Sequence, residues 1–186
     1  MNNNATAEEF SIIRECVNGR VEKYALLVEK YKVMAFTVAY RMLGDTDTAN
    51  DMAQESFVSA YVGLRDFKYN AKFSSWLYSI VLNKCRDHLR DRKEAVPVDD
   101  LAEYLPAKGP DPEQAASSQQ TRDAVQKALD LLPEPYREVI ILKHLEELGY
   151  EEIAEILGEK VIALKVRAHR GREMLKEHLE NMGVVQ

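Results

Sequence analysis

Apolar residues return every three or four positions through nearly every patterned stretch of this chain, and that spacing commits it to helices rather than strands. From Val21 onward Tyr24, Leu27, Val28, Tyr31, Ala35 and Val38 fall on one face, and Gly44 closes the run. Asp45 and Asp47 are suited to cap a second helix that continues through Ala49, Met52, Ala53, Phe57, Ala60 and Tyr61 to about Leu64. After the loop Asp66-Phe-Lys-Tyr-Asn-Ala-Lys72, Ser74 or Ser75 opens a third helix through Trp76, Leu77, Ile80, Val81 and Lys84, which runs out in the charged stretch from Arg86 to Lys93. The pattern then breaks. Between Glu94 and about Ser118 stand Pro97, Pro106, Pro110 and Pro112, with Glu94, Asp99, Asp100, Glu103, Asp111 and Glu113 against the single cation Lys108. Such a composition reads as an acidic, semi-extended linker. Helical spacing returns at Thr121 with Val125, Ala128, Leu129 and Leu132, and again from Pro135, placed in a first helical turn. The expected fold is all-α: two small helical domains, residues 1–93 and 121–186, joined by a flexible linker over 94–120.

Several function classes fall away at once. The 186 residues are enough for ordinary apolar cores. No apolar run approaches the ~18 residues of a membrane span, and the polar start Met-Asn-Asn-Asn-Ala-Thr-Ala-Glu-Glu9 lacks the layout of a signal peptide. A soluble, cytoplasmic protein without membrane insertion is expected. Cys16 and Cys85 have no metal-ligand spacing and read as reduced thiols. His88, His144, His169 and His178 form no ligand pattern either, and no Gly-rich phosphate loop is present. No catalytic residue, metal or cofactor is expected, and the chain does not read as an enzyme.

Charge points elsewhere. The formal net charge is -6, yet Lys160, Lys165, Arg167, Arg170, Arg172 and Lys176 crowd one short segment, six cations against the two carboxylates Glu159 and Glu173. Directly before them lies Tyr150-Glu-Glu-Ile-Ala-Glu-Ile-Leu-Gly158, a short amphipathic helix with small Ala154 for a close crossing and Gly158 for a turn. Val161 and Leu164 fall where a second helix packs back. That is helix-turn-helix grammar, in which the second helix enters a DNA groove and its cations meet phosphates. The first domain carries a second signature: Phe67, Tyr69, Phe73, Trp76 and Tyr78 interleave with Lys68 and Lys72 and precede Arg86, Arg90, Arg92 and Lys93. Rings beside cations suit single-stranded DNA, whose bases stack while the backbone is held. Phe73 and Trp76, at helical spacing, read as core ahead of base platform; Tyr69, in the polar loop, reads as exposed.

Four segments in order, Ala49-Asn-Asp-Met-Ala-Gln-Glu-Ser-Phe57, Lys72-Phe-Ser-Ser-Trp-Leu-Tyr-Ser-Ile-Val-Leu-Asn83, Leu132-Pro-Glu-Pro-Tyr-Arg-Glu-Val-Ile140 and Tyr150 to Gly158, resemble the two conserved domains of bacterial RNA polymerase sigma factors. The compact form is similar to the extracytoplasmic-function (ECF) group. The resemblance implies an alternative sigma factor that binds core RNA polymerase and directs it to promoter DNA. Asp51, Gln54, Glu55 and Phe57 would dock on the clamp helices of the largest subunit, with the flap region as a further contact. Phe67, Lys68, Tyr69, Asn70, Lys72, Trp76, Asn83, Arg86 and Arg90 would bind the -10 element and hold a flipped base. Lys160, Lys165, Arg167, His169, Arg170 and Arg172 would serve the -35 element. The acidic linker would thread near the RNA path, and an anti-sigma factor is a further partner the resemblance allows. At the turn the family usually shows Pro and then Gly-Thr, where this chain has Lys160, Ile162 and Ala163. A β-branched Ile suits no turn position with positive φ, so the helix is expected to start early, near Glu159 or Lys160, with Ile162 packed on the bracing helix. A two-domain helix-turn-helix regulator, acting without replacing the sigma subunit, is the alternative function.

Overall fold

In the computed structural model, residues 3–95 and 113–185 are described. The proline-rich centre of the expected linker, 96–112, lies outside the described residues. Eight α-helices are found among those described: α1 (Asn3–Val17), α2 (Tyr24–Leu43), α3 (Thr46–Gly63), α4 (Phe73–Ala95), α5 (Glu113–Asp130), α6 (Glu134–Ile140), α7 (Tyr150–Leu157) and α8 (Val161–Asn181).

The capping signals act where the sequence places them. Asp45, with extended backbone, accepts a 2.7 Å hydrogen bond from the Thr48 amide at the start of α3, which satisfies one of the amides a helix start leaves bare. Gly44 ends α2 at φ 74° and Gly158 ends α7 at φ 68°, left-handed positions that residues with a side chain adopt only with strain. Two boundaries differ from expectation. The helix α5 starts at Glu113 rather than at Thr121, because Glu-Gln-Ala-Ala-Ser-Ser-Gln-Gln120 is rich in helix formers and contains no proline. The helix α1 has no counterpart in the sequence reading: its first half is polar, and only Phe10, Ile12, Ile13 and Cys16 carry its inner face.

In the first half, α2, α3 and α4 pack around Leu27, Val38, Met42, Ala49, Phe57, Phe73, Leu77 and Leu82, and α1 lies against them through Ile13 and Cys16. Phe73 is fully enclosed, which contributes about 2–3 kcal/mol of burial. In the second half, α8 lays Leu164, Ala168 and Gly171 against α6 and α7. A side chain at 171 would begin 3.0 Å from Ile140 Cγ1, so any other residue here would force the Ile140 side chain to shift. After α6 the chain widens into one π-turn, Ile141–Leu145.

The two halves do not stand apart. Val139, Ile141, Leu142, Ile153 and Ile156 belong to the same apolar cluster as the core of the first half. The carbonyl end of α2 is closed by the second half: Gln126 Nε2 donates to the Tyr40 and Arg41 carbonyls at 3.3 and 3.4 Å, and Arg137 Nη1 donates to Met42 O. Arg137 Nη2 also reaches the carbonyls of Asp130 (2.6 Å) and Leu132 (3.1 Å). A cation buried against helix-end carbonyls is well matched to their partial negative charge, although burial still depresses the Arg137 pKa.

Candidate nucleic-acid interface

Three surfaces carry the residues singled out from the sequence. On α3, Asp51, Gln54 and Glu55 are exposed on one face, and Glu55 accepts an ion-pair contact from Lys84 of α4 at 3.1 Å. Phe57 is buried and lies beneath this face. Val58 and Val62, one turn apart and well exposed, extend the same side of α3. The sequence reading missed them; the signal was their spacing of four, out of phase with the buried Ala53, Phe57 and Ala60.

The loop before α4 is held from below. Phe67 and Phe73 are buried, Trp76 is half-buried against both (5.2 and 5.8 Å between ring centres), and Gly63 leaves room for its ring. Phe67 is therefore core, a correction to its assignment as a DNA contact: its position directly after the turn at Leu64–Asp66 folds it inward. Tyr69 is 39% exposed. It stands edge-on to Phe10 of α1 at 5.3 Å and to Phe67 at 5.4 Å, with the Arg14 guanidinium over its ring at 5.2 Å. Phe10 and Arg14 were not anticipated, since no helix was expected there. Lys68 and Asn70 are exposed beside Tyr69.

One cation of α4, Arg86, and Lys72 just before the helix reach the second half. Arg86 donates to both carboxylate oxygens of Glu138, Nη2 to Oε2 at 2.7 Å, and Nη1 donates to Asn83 Oδ1 at 2.8 Å. Lys72 pairs with Glu152 at 3.0 Å, Ser75 donates to the same carboxylate at 3.2 Å, and Tyr78 donates to Glu146 at 2.6 Å. Burial raises the Tyr78 pKa, and the adjacent Glu146 carboxylate adds to it. Burial likewise pushes the Glu138 carboxyl above the ordinary glutamate range, with Arg86 pulling it back only in part. Arg90 is occupied by Asp87 at 2.9 Å on its own helix. Of the nine residues expected at the -10 element, Tyr69, Lys68 and Asn70 are thus open, while Lys72, Asn83 and Arg86 are engaged.

On α8 the cations divide in the same way. Arg167 is clamped by Glu159 through two hydrogen bonds of 2.8 and 2.7 Å, which ties the turn to the helix that follows it. His169 pairs with Glu173 at 3.3 Å. Lys165 stands 5.8 Å over the Tyr150 ring. Lys160, Arg170 and Arg172 are exposed without an ion pair among the described residues. Lys160 is the N-cap of α8, with extended backbone and no side-chain cap. The early start of the helix agrees with expectation, but the packing of Ile162 does not: Ile162 is 78% exposed. Leu164 and Ala168 occupy the inner stripe instead, and Ile162 lies on the opposite face of the helix. No helix among the described residues is long and apolar enough to cross a membrane.

Comparison with known proteins agrees with this geometry. The family model for sigma-70 region 2 matches residues 27–95, and that for sigma-70 region 4 matches residues 122–175. The chain is 38% identical over 179 residues to the ECF RNA polymerase sigma factor SigW of Bacillus subtilis, covering 91% of this chain and 96% of that one. It is 30% identical over 180 residues to the ECF RNA polymerase sigma-E factor of Escherichia coli K12, covering 91% and 93%. Among solved structures it resembles CnrH in complex with the cytosolic domain of CnrY, with a TM-score of 0.68 at 27% identity over 91% of this chain and 96% of that one. The fold is also that of RpoE in complex with the anti-sigma factor NepR from Bartonella quintana, with a TM-score of 0.71 over 86% of this chain and 98% of that one. A region 2 domain leaves no place for the regulator alternative: the chain belongs to the ECF subfamily of sigma-70 RNA polymerase sigma factors, which direct the polymerase to promoters.

Proposed function

We propose that the chain performs this role through three surfaces: the polar face of α3 docks on the polymerase largest subunit, the loop around Tyr69 receives an unstacked base of the -10 element, and α8 enters the major groove of the -35 element. The observation that carries the reading is the exposure of Asp51, Gln54 and Glu55 together with Val58 and Val62 on one face of α3. A mixed polar and apolar helix face with no intramolecular cover is what a protein partner needs. Tyr69 supports the second role: its ring is fixed by neighbours on three sides and remains open to solvent, so little order has to be gained when a base stacks on it.

The arrangement of the two halves bears on regulation. Glu138 and Glu152 of the second half hold Arg86 and Lys72, two of the cations expected to meet DNA. In this closed form those cations are neutralised, so promoter binding requires the halves to separate. An anti-sigma factor that favoured the closed form would keep the chain inactive by mass action, and the resemblance of the whole chain to CnrH bound to the cytosolic domain of CnrY supports such a partner.

The docking assignment is tested with Gln54→Ala combined with Glu55→Ala. Both side chains are exposed, so the change costs under about 1 kcal/mol of stability. Titration against core polymerase is expected to show at least tenfold weaker binding with an unaltered circular dichroism spectrum. Unchanged affinity refutes the assignment.

A further inference from the structure

The N-terminal turns of α8 carry an apolar feature that a phosphate-binding helix does not need. Ile162 is 78% exposed and Val166, one turn on, is 49% exposed. Both lie on the face opposite the buried Leu164, Ala168 and Gly171. Helical geometry places Lys165 and His169 along one side of this pair and Arg170 along the other. With Tyr136 and Ala163, the pair lines a shallow surface hollow whose rim includes Lys160, Arg167 and Arg170.

Neither residue belongs to either apolar cluster, and β-branched residues gain nothing in a helix on propensity grounds. The surrounding charge identifies what covers them. A ring of cations around two aliphatic groups suits a polyanion that presents apolar points between its phosphates. Duplex DNA does so in the major groove through the C5-methyl of thymine, which aliphatic side chains contact and which no other base carries there. Ile162 and Val166 are the second and sixth residues of α8, and helix N-terminal residues are the ones that reach base edges in this docking geometry. They also offer no hydrogen-bond donor or acceptor, so they cannot read guanine, adenine or cytosine polar edges.

We propose that Ile162 and Val166 are specificity-determining residues of this chain that read thymine methyl groups in the -35 element, within a frame of phosphate contacts from Lys160, Lys165 and Arg170. The inference rests on the reading of α8 as the -35 helix and deepens it: affinity comes from the cations, and part of the sequence choice from van der Waals contact.

The test uses the full chain assembled with core polymerase. A pool of duplexes randomised at the -35 position is selected for holoenzyme binding. The selected duplex is then remade with deoxyuridine in place of each thymine in turn, which deletes one methyl and leaves pairing intact. At one or two positions the wild-type holoenzyme is expected to lose about fourfold in affinity, the effect of removing one buried methyl. The Ile162→Ala, Val166→Ala double variant is expected to bind the thymine duplex more weakly and to show no further loss with deoxyuridine. Restoring bulk with Ile162→Val and Val166→Ile should bring the methyl dependence back. A selected element without thymine, or an equal deoxyuridine penalty in wild type and alanine variant, overturns the proposal while leaving the -35 role of α8 intact. Failure of the wild-type holoenzyme to enrich any -35 sequence over core polymerase alone overturns both.

Discussion

At Asp45 one carboxylate sets where a helix begins, and its effect can be separated from everything else the residue does. The Thr48 side chain first, and then the bond from the Thr48 amide, lower the Asp45 pKa. A group whose folded pKa lies below its unfolded value stabilises the fold above the unfolded value, and that contribution is lost as pH falls through the folded one. Asp45→Ala is therefore expected to lower stability by about 1 kcal/mol near neutral pH, and Asp45→Asn by much less, since an amide oxygen also caps. In denaturant titrations the difference between wild type and Asp45→Asn should shift in favour of the asparagine variant as pH drops below about 4. If alanine and asparagine cost the same, Asp45 acts through something other than the cap. The same scale shows where charge reading stops. Lys165, Arg167, Arg170 and Arg172 are legible as cations in the sequence, but that Arg167 is clamped by Glu159, eight residues earlier, while Arg170 is free to meet a phosphate depends on the turn geometry between them.

Among elements, α2, α3, α4 and α7 were legible because each buries one stripe and exposes the rest, which gives the 3.6-residue period a clear phase. The run Val139-Ile-Ile-Leu142 has no phase, since all four residues are buried, and the π-turn that follows it could not be read. For α1 the difficulty was different: its N-terminal half is polar, and besides α2 it touches a loop more than fifty residues away. That loop is where α1 matters. Phe10 meets both Phe67 and Tyr69, at 6.0 and 5.3 Å between ring centres, and Arg14 covers the Tyr69 ring. Phe10→Ala removes a half-buried ring and should cost about 1–3 kcal/mol. The loss should be local. Amide hydrogen exchange in residues 67–72 is expected to speed up at least tenfold, with little change in α3. Uniform acceleration across the first half would mean that α1 is part of the global core and has no particular hold on the loop.

For the molecule as a whole, the question is what keeps the halves closed, and the Arg86–Glu138 pair discriminates between answers. The Glu138 side chain is 4% exposed and that of Arg86 32%, so the carboxylate has lost nearly all its water and the guanidinium has not. The raised Glu138 pKa says that Arg86 does not fully offset the desolvation; the pair sets register more than it adds net stability. Closure then rests on the shared apolar cluster and on Gln126 and Arg137 at the end of α2, while removal of Arg86 would strand a buried charge. Glu138→Gln should leave the closed form at least as populated as in wild type. Arg86→Ala should open it by about 2 kcal/mol, the penalty of an unpaired buried carboxylate discounted for the exposed side of the site. Small-angle scattering reads the result directly: a closed chain of this length has a radius of gyration of about 16 Å, and separation of the halves raises it by several Å. In Arg86→Ala the effect should also reverse with acid. The closed form holds Glu138 at a higher pKa than the open one, so it takes up the proton first, and closure should recover as pH falls through the raised Glu138 pKa towards the ordinary glutamate value of about 4.3. Arg86→Ala opening that ignores pH would show that the lost guanidinium, rather than the stranded carboxylate, had been holding the halves together.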